Sequence, residues 1–142
     1  MRGGSTVQAH TYLIFNGDCR EAFETYARIL GGRIETITTF AGTPAEGYVP
    51  PHWKDKILHA VLRFGDTTLF GSDAGSPNYE KPQGFGVALV LDDPAEAERI
   101  FNALADGGTI TMAFSQTFWA HRFGMATDRF GIPWMVNCEK AG

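Results

Sequence analysis

Apolar residues recur along this chain in two rhythms. Thr11 to Phe15 is a short, nearly continuous apolar run, which predicts a strand. Ala22, Tyr26, Ile29 and Leu30 fall at three- and four-residue spacing, which predicts an amphipathic helix. Asp18 followed by Glu21 has the form of a capping box at that helix's start. Gly31-Gly32 ends it, because glycine tolerates the left-handed turn that follows a last helical residue. The pattern then returns. Val87 to Leu91 is a second strand, and Asp93-Pro94-Ala95-Glu96 a second helix start with proline at its favoured first position. Ala97, Phe101 and Leu104 form the second apolar stripe, and Gly107-Gly108 the second stop.

The segments after each glycine pair repeat as well. Arg33 to Phe40 and Thr109 to Gln116 are rich in Thr and Ile, which favour strands. Ile57 to Phe64 and Thr67 to Ser72 predict a hairpin in the first half. Ala120 to Thr127 and Pro133 to Cys138 predict its counterpart, turning at Asp128-Arg129-Phe130-Gly131. Each half thus reads β-α-β-β-β, an α+β class built from two βαβββ modules in tandem. Module one spans about 10–73, a linker 74–83, and module two about 84–139, all within one domain of 142 residues. Two such units can curve their sheets around a common cleft, with helices on the outer faces. A long Pro- and Gly-rich loop, 42–56, carries His52 and Trp53. It has two readings, a lid over the cleft or a surface loop at a subunit contact.

Composition narrows the class. A net charge of −4 without a basic stripe argues against a nucleic-acid partner. No apolar run approaches the roughly 18–20 residues that span a bilayer, so no membrane partner is expected. Met1 to Ala9 has no apolar core, so no leader is expected, and two cysteines without C-x-x-C spacing suit reduced thiols in a cytoplasmic protein. There is no H-E-x-x-H, no G-x-S-x-G and no phosphate-binding glycine loop. Gly84-Phe85-Gly86 leads into a strand, which excludes a dinucleotide fingerprint.

Two segments point further. Near the start stands Tyr12-Leu13-Ile14-Phe15-Asn16-Gly17. Near the end stands Gln116-Thr117-Phe118-Trp119-Ala120-His121-Arg122-Phe123-Gly124, followed by Asp128-Arg129-Phe130-Gly131-Ile132-Pro133-Trp134-Met135-Val136-Asn137. With these the chain resembles the vicinal oxygen chelate superfamily of glyoxalase I, bleomycin-resistance proteins and extradiol dioxygenases, and within it the PhnB-like branch. The resemblance runs from about His10 to Lys140. It implies a cleft whose metal-using members place four ligands on the first and fourth strands of each module. Those positions fall here on His10, near Gly71, on Gly86 and on Met135. One imidazole is too few to hold a divalent ion against water, so neither a metal nor another cofactor is expected.

The remaining candidates are residues for ligand contact. His10, Tyr12 and Ile14 share one face of the first strand. Trp119 and His121 share a face of another, and Asn137 faces the cleft two residues beyond Met135. With Trp53 these side chains suit an aromatic or mixed-polarity ligand. Each has a plainer reading: core packing, a dimer seam or a satisfied surface group. The expected function is metal-free binding of a small organic molecule by a homodimer. The alternatives are a metal-dependent lyase, isomerase or dioxygenase using His10 with Asp73 or His121, and a metal-free enzyme with His10 or His121 as base. Cys19 is read as structural and Asp128 as a turn former.

Overall fold

A computed structural model describes residues 6–75 and 78–139. Two four-stranded mixed sheets form, one from each half of the chain. In the first, β1 (Thr11–Phe15), β4 (Thr67–Asp73), β3 (Ile57–Phe64) and β2 (Arg33–Thr39) lie in that spatial order. In the second, β5 (Val87–Leu91), β8 (Pro133–Cys138), β7 (Arg122–Thr127) and β6 (Thr109–Ser115) repeat it. β1 runs parallel to β4, and β5 parallel to β8. Each first strand is followed by a helix, α1 (Cys19–Leu30) or α2 (Pro94–Ala105), as the hydrophobic spacing predicts.

The helix ends differ from the expectation in one respect. Asp93 caps α2 by accepting from the Ala95 amide at 3.1 Å. Asp18 makes no side-chain cap on α1. Asp73, at the end of β4, does that work from 54 residues away. Its Oδ1 accepts from the amides of Gly17 (2.9 Å) and Cys19 (3.0 Å), and its Oδ2 from Ile57 (2.9 Å). One buried carboxylate thereby fixes the α1 entrance and the start of β3, satisfying amides that a helix start leaves unpaired. Gly31 ends α1 in the left-handed region at φ 65°, as its pair of glycines predicts.

Core formation follows from α1 having two apolar faces. Phe23 points at β4, where Gly71 leaves it room: a Cβ there would stand 2.6 Å from Phe23 Cζ. Tyr26 points the other way, with its ring 5.1 Å from Trp134 and 6.0 Å from Phe130, both in the second half. All of these rings are buried. α1 is thus the seam that joins the modules, and each large side chain it buries is worth about 1.5–3 kcal/mol. α2 repeats the glycine device, since a Cβ at Gly124 on β7 would stand 2.7 Å from Phe101 Cε1.

The 42–56 loop is built rather than loose. It holds two 3-10 turns, Pro44–Tyr48 and Pro51–Trp53, and Thr43 caps the first through a 3.2 Å bond from the Ala45 amide. Its base is closed by Phe40 N–H to Lys56 carbonyl (3.1 Å) and Ala41 N–H to Lys54 carbonyl (2.8 Å).

Candidate functional site: the uncovered sheet faces

Register decides which side chains stand on the face that the helices leave open. Leu13 pairs with Gly71 and Ala60 with Gly71, so these point at α1. Tyr12 pairs with Phe70, Phe70 with Val61, and Thr38 with His59, so these stand on the opposite face. There the rings gather. His10 meets Phe70 at 5.1 Å between centroids, Tyr12 meets Phe70 at 6.0 Å and His59 at 5.9 Å, and His59 meets Phe70 at 5.5 Å. The Tyr12 hydroxyl lies 3.3 Å from His59 Nδ1, and His10 Nε2 lies 3.2 Å from Gln8 Oε1. Tyr12 is 44% exposed, a large share for an aromatic in a strand.

His10 and Tyr12 therefore do share a face, as strand alternation predicts. His59 and Phe70 complete the cluster and escaped the sequence reading. Their partnership spans 47 residues and exists only through the β1–β4 and β3–β4 ladders, so local spacing carries no sign of it. His10 also lines a cavity of about 330 Å³ between the halves, whose other wall is Gly86 and the first three residues of β5, Val87 to Leu89.

The second sheet's open face carries Met135 and Asn137 on β8 opposite Met125 and Phe123 on β7. Asn137 Oδ1 is buried with no hydrogen-bond partner among the described residues. Trp119 and His121 depart from the expectation. They lie in the turn before β7, which begins at Arg122 rather than Ala120, so strand alternation does not relate them. The turn forms because the Thr117 side chain accepts the Ala120 amide at 3.2 Å, diverting it from a ladder. Trp119 is 51% exposed, edge-on to Phe118 at 4.8 Å and Phe123 at 5.4 Å. His121 is half-buried in the same turn.

Trp53 stands at a third place. It covers the β1–α1 turn and the start of the linker, where Cβ atoms at Gly17 and Gly75 would come within 3.2 and 3.0 Å of its ring. The Lys56 ammonium lies 5.9 Å from its centroid. With Asn16, Tyr48 and His52 it lines a groove of about 340 Å³. The six candidates thus divide into His10 with Tyr12 on the first sheet, Asn137 on β8 of the second, Trp119 and His121 in the turn before β7, and Trp53 on the 42–56 loop.

The four metal-ligand positions do not fit an ion. Gly71 is turned to Phe23 on the helix side, so the residues on the open side of β4 are Phe70 and Ser72. Gly86 abuts Met135, whose Cε would be 3.5 Å from a Cβ there. The donor set is then one imidazole, a hydroxyl at best and a thioether. Among the described residues no three His, Cys, Asp or Glu side chains converge where an ion could be held. Asp73, a possible extra ligand, spends both oxygens on backbone amides.

Other titratable groups are internal. Burial, with Asp73 and Asp18 adding, pushes the Cys19 thiol up, so thiolate chemistry is disfavoured there. Asp128 is more than a turn former. Its Oδ1 accepts from the amides of Phe130 and Ile132, both at 2.9 Å, and its Oδ2 from Trp134 Nε1 (2.8 Å) and the Tyr26 hydroxyl.

Comparison with known proteins agrees with this architecture. The model of the glyoxalase/bleomycin resistance protein/dioxygenase superfamily matches residues 8–136. Protein YjdN of Escherichia coli (strain K12) is 35% identical over 137 residues, covering 91% of this chain and 93% of that one. The crystal structure of protein PA1353 from Pseudomonas aeruginosa is 50% identical, with a TM-score of 0.86 over 96% of this chain and 100% of that one. A PhnB protein from Bacillus cereus shares the fold at 19% identity, with a TM-score of 0.79 over 93% and 99%. Paired βαβββ modules, their strand order and the family match together make this chain a member of the glyoxalase/bleomycin resistance protein/dioxygenase superfamily.

Proposed function

We propose that this protein binds a small organic molecule on its open sheet faces without a metal ion. The observation that carries the reading is the residue set at the positions where a metal would be held: His10 and Met135, with glycine at 86 and at 71. Aromatic and imidazole groups occupy the same faces and supply stacking and hydrogen bonds instead. A homodimer that brings a second copy's face opposite is part of the proposal. Met112 on edge strand β6, paired with Met125, and Trp119 beside Phe123 leave apolar surface exposed at that face. Its mass in light-scattering chromatography is then twice the 15.5 kDa of one chain. The protein belongs to the cytoplasm on this reading, with both cysteines reduced.

The test is a thermal-shift screen of small organic compounds in chelator-treated buffer. A concentration-dependent rise in Tm for a compound class supports the reading, since a ligand that binds only the folded state stabilises it. A screen in which compounds act only after a divalent metal is added contradicts it.

A further inference from the structure

The first sheet's open face has a chemical bias. Along it stand His10, Tyr12, Phe70, His59 and Thr38, with no Asp or Glu among them. That is notable in a chain of net charge −4. The acids bordering the face are engaged or set apart. Glu35 is held by Arg63 at 2.6 Å and Arg33 at 3.1 Å, and Asp66 sits in the β3–β4 turn. Phe70 is central, ringed by His10, Tyr12 and His59 within 5.1 to 6.0 Å. When the Tyr12 hydroxyl donates to Nδ1 of His59, the imidazole proton sits on Nε2, as a donor. An apolar aromatic floor with the His59 imidazole donor at its rim, and with the nearby Glu35 carboxylate already paired to Arg63 and Arg33, is complementary to a flat ring bearing a negative oxygen group.

We propose that the His10–Tyr12–His59–Phe70 face binds an aromatic carboxylate, with Phe70 under the ring, His59 Nε2 placed to donate to the carboxylate, Tyr12 orienting that imidazole and His10 at the rim. The proposal rests on the small-molecule-binding reading and adds to it the ligand class and a specificity-determining residue, His59. The ring contributes through contact with Phe70, and the charge through hydrogen bonds that a neutral analogue makes less well.

The experiment is calorimetric titration, in chelator-treated buffer, of 2-naphthoate and of its neutral isostere 2-naphthamide. The naphthoate is expected to bind at least about tenfold more tightly. His59→Ala is expected to remove about tenfold of naphthoate affinity and to leave naphthamide unchanged, which a merely structural role would not do. His59→Gln, which retains a donor, is expected to recover part of the loss, and serves as the test variant should His59→Ala lower Tm. Equal affinity for the two compounds overturns the proposal, as does failure of both to bind or naphthoate affinity indifferent to both variants. The small-molecule reading stands apart from these outcomes: an aliphatic or cationic compound that raises Tm without metal leaves it intact while overturning the aromatic-acid class.

Discussion

The hydroxyl of Tyr26, on the helix of the first module, donates to the carboxylate of Asp128, in the β7–β8 turn of the second. Both are buried, and 102 residues separate them. Trp134 Nε1 shares the same carboxylate oxygen, so one anion ties α1, the turn and β8 together. Burial and the Asp128 charge push the Tyr26 hydroxyl's pKa well up, which keeps it a donor. Arg129 next door adds an exposed 3.0 Å pair with Glu21 across the same seam, worth about 0.2–1 kcal/mol at most.

Removing this link should loosen the two modules together. Tyr26→Phe leaves Asp128 three of its four donors and is expected to lower stability by about 1–3 kcal/mol. Asp128→Ala strands the hydroxyl, the indole N–H and two amides, and is expected to lower it by more, about 3–5 kcal/mol. Denaturant unfolding of both single variants and the double variant checks this. The double variant should fall short of the sum, because the two changes break one shared bond. Additive losses would show that the bond contributes nothing.

Asp18 gives a pH dependence of known sign. Its Oδ1 is buried without a hydrogen-bond partner among the described residues. Burial first, and then the charge of Asp73, raises its pKa above the ordinary 3.8. The folded state therefore favours the protonated form, so stability falls as the pH rises from the unfolded carboxyl's pKa through the raised folded one, and the loss is complete above that. Asp18→Asn is expected to raise Tm at pH 7 by about 1–3 °C, a small shift because the carboxyl is partly exposed and screened. The gap should close as the pH falls below the unfolded carboxyl's value of about 3.9. Thermal melts of both proteins across pH 3–8 check this, and a gap that is constant with pH contradicts it.

Gly71 is required by close packing. Gly71→Ala drives a methyl to 2.6 Å from Phe23 Cζ and 3.2 Å from Cys19 Sγ. The expected loss is about 1–3 kcal/mol. Phe23→Leu in the same chain should return part of it by withdrawing the ring. Gly47→Ala, which meets nothing within 4 Å, is the control and should shift stability by about 0.5 kcal/mol or less. Equal losses at 71 and 47 would show that ring contact is not the cause.

Most of the fold was legible in the pattern of apolar residues, because the two modules say the same thing twice. Strand and helix limits read from Ile, Val and Thr runs and glycine pairs fall within one or two residues of those observed. What escaped is long-range. The α1 cap comes from Asp73, and Asp18, which has the local form of a cap, does not cap at all. The Trp119–His121 pair reads as a strand because its residue types suit one, but Thr117 claims the Ala120 amide first. The ligand face was half visible: His10 and Tyr12 follow from alternation in one strand, while His59 and Phe70 join them only when three strands pair. The metal position that the resemblance implies on β4 falls only near Gly71, because residue counting cannot tell which side of β4 faces Phe23.

The central claim is that a single imidazole, His10, stands where a metal-using member needs a converging ligand set. The most direct measurement is the metal-to-subunit ratio of untagged protein purified without chelator, before and after incubation with Zn, Ni, Mn and Fe(II). A ratio near zero in every case is expected. A ratio near one that is lost in His10→Ala would contradict the claim, and would mean that His10 is joined by ligands brought in from outside the set described above.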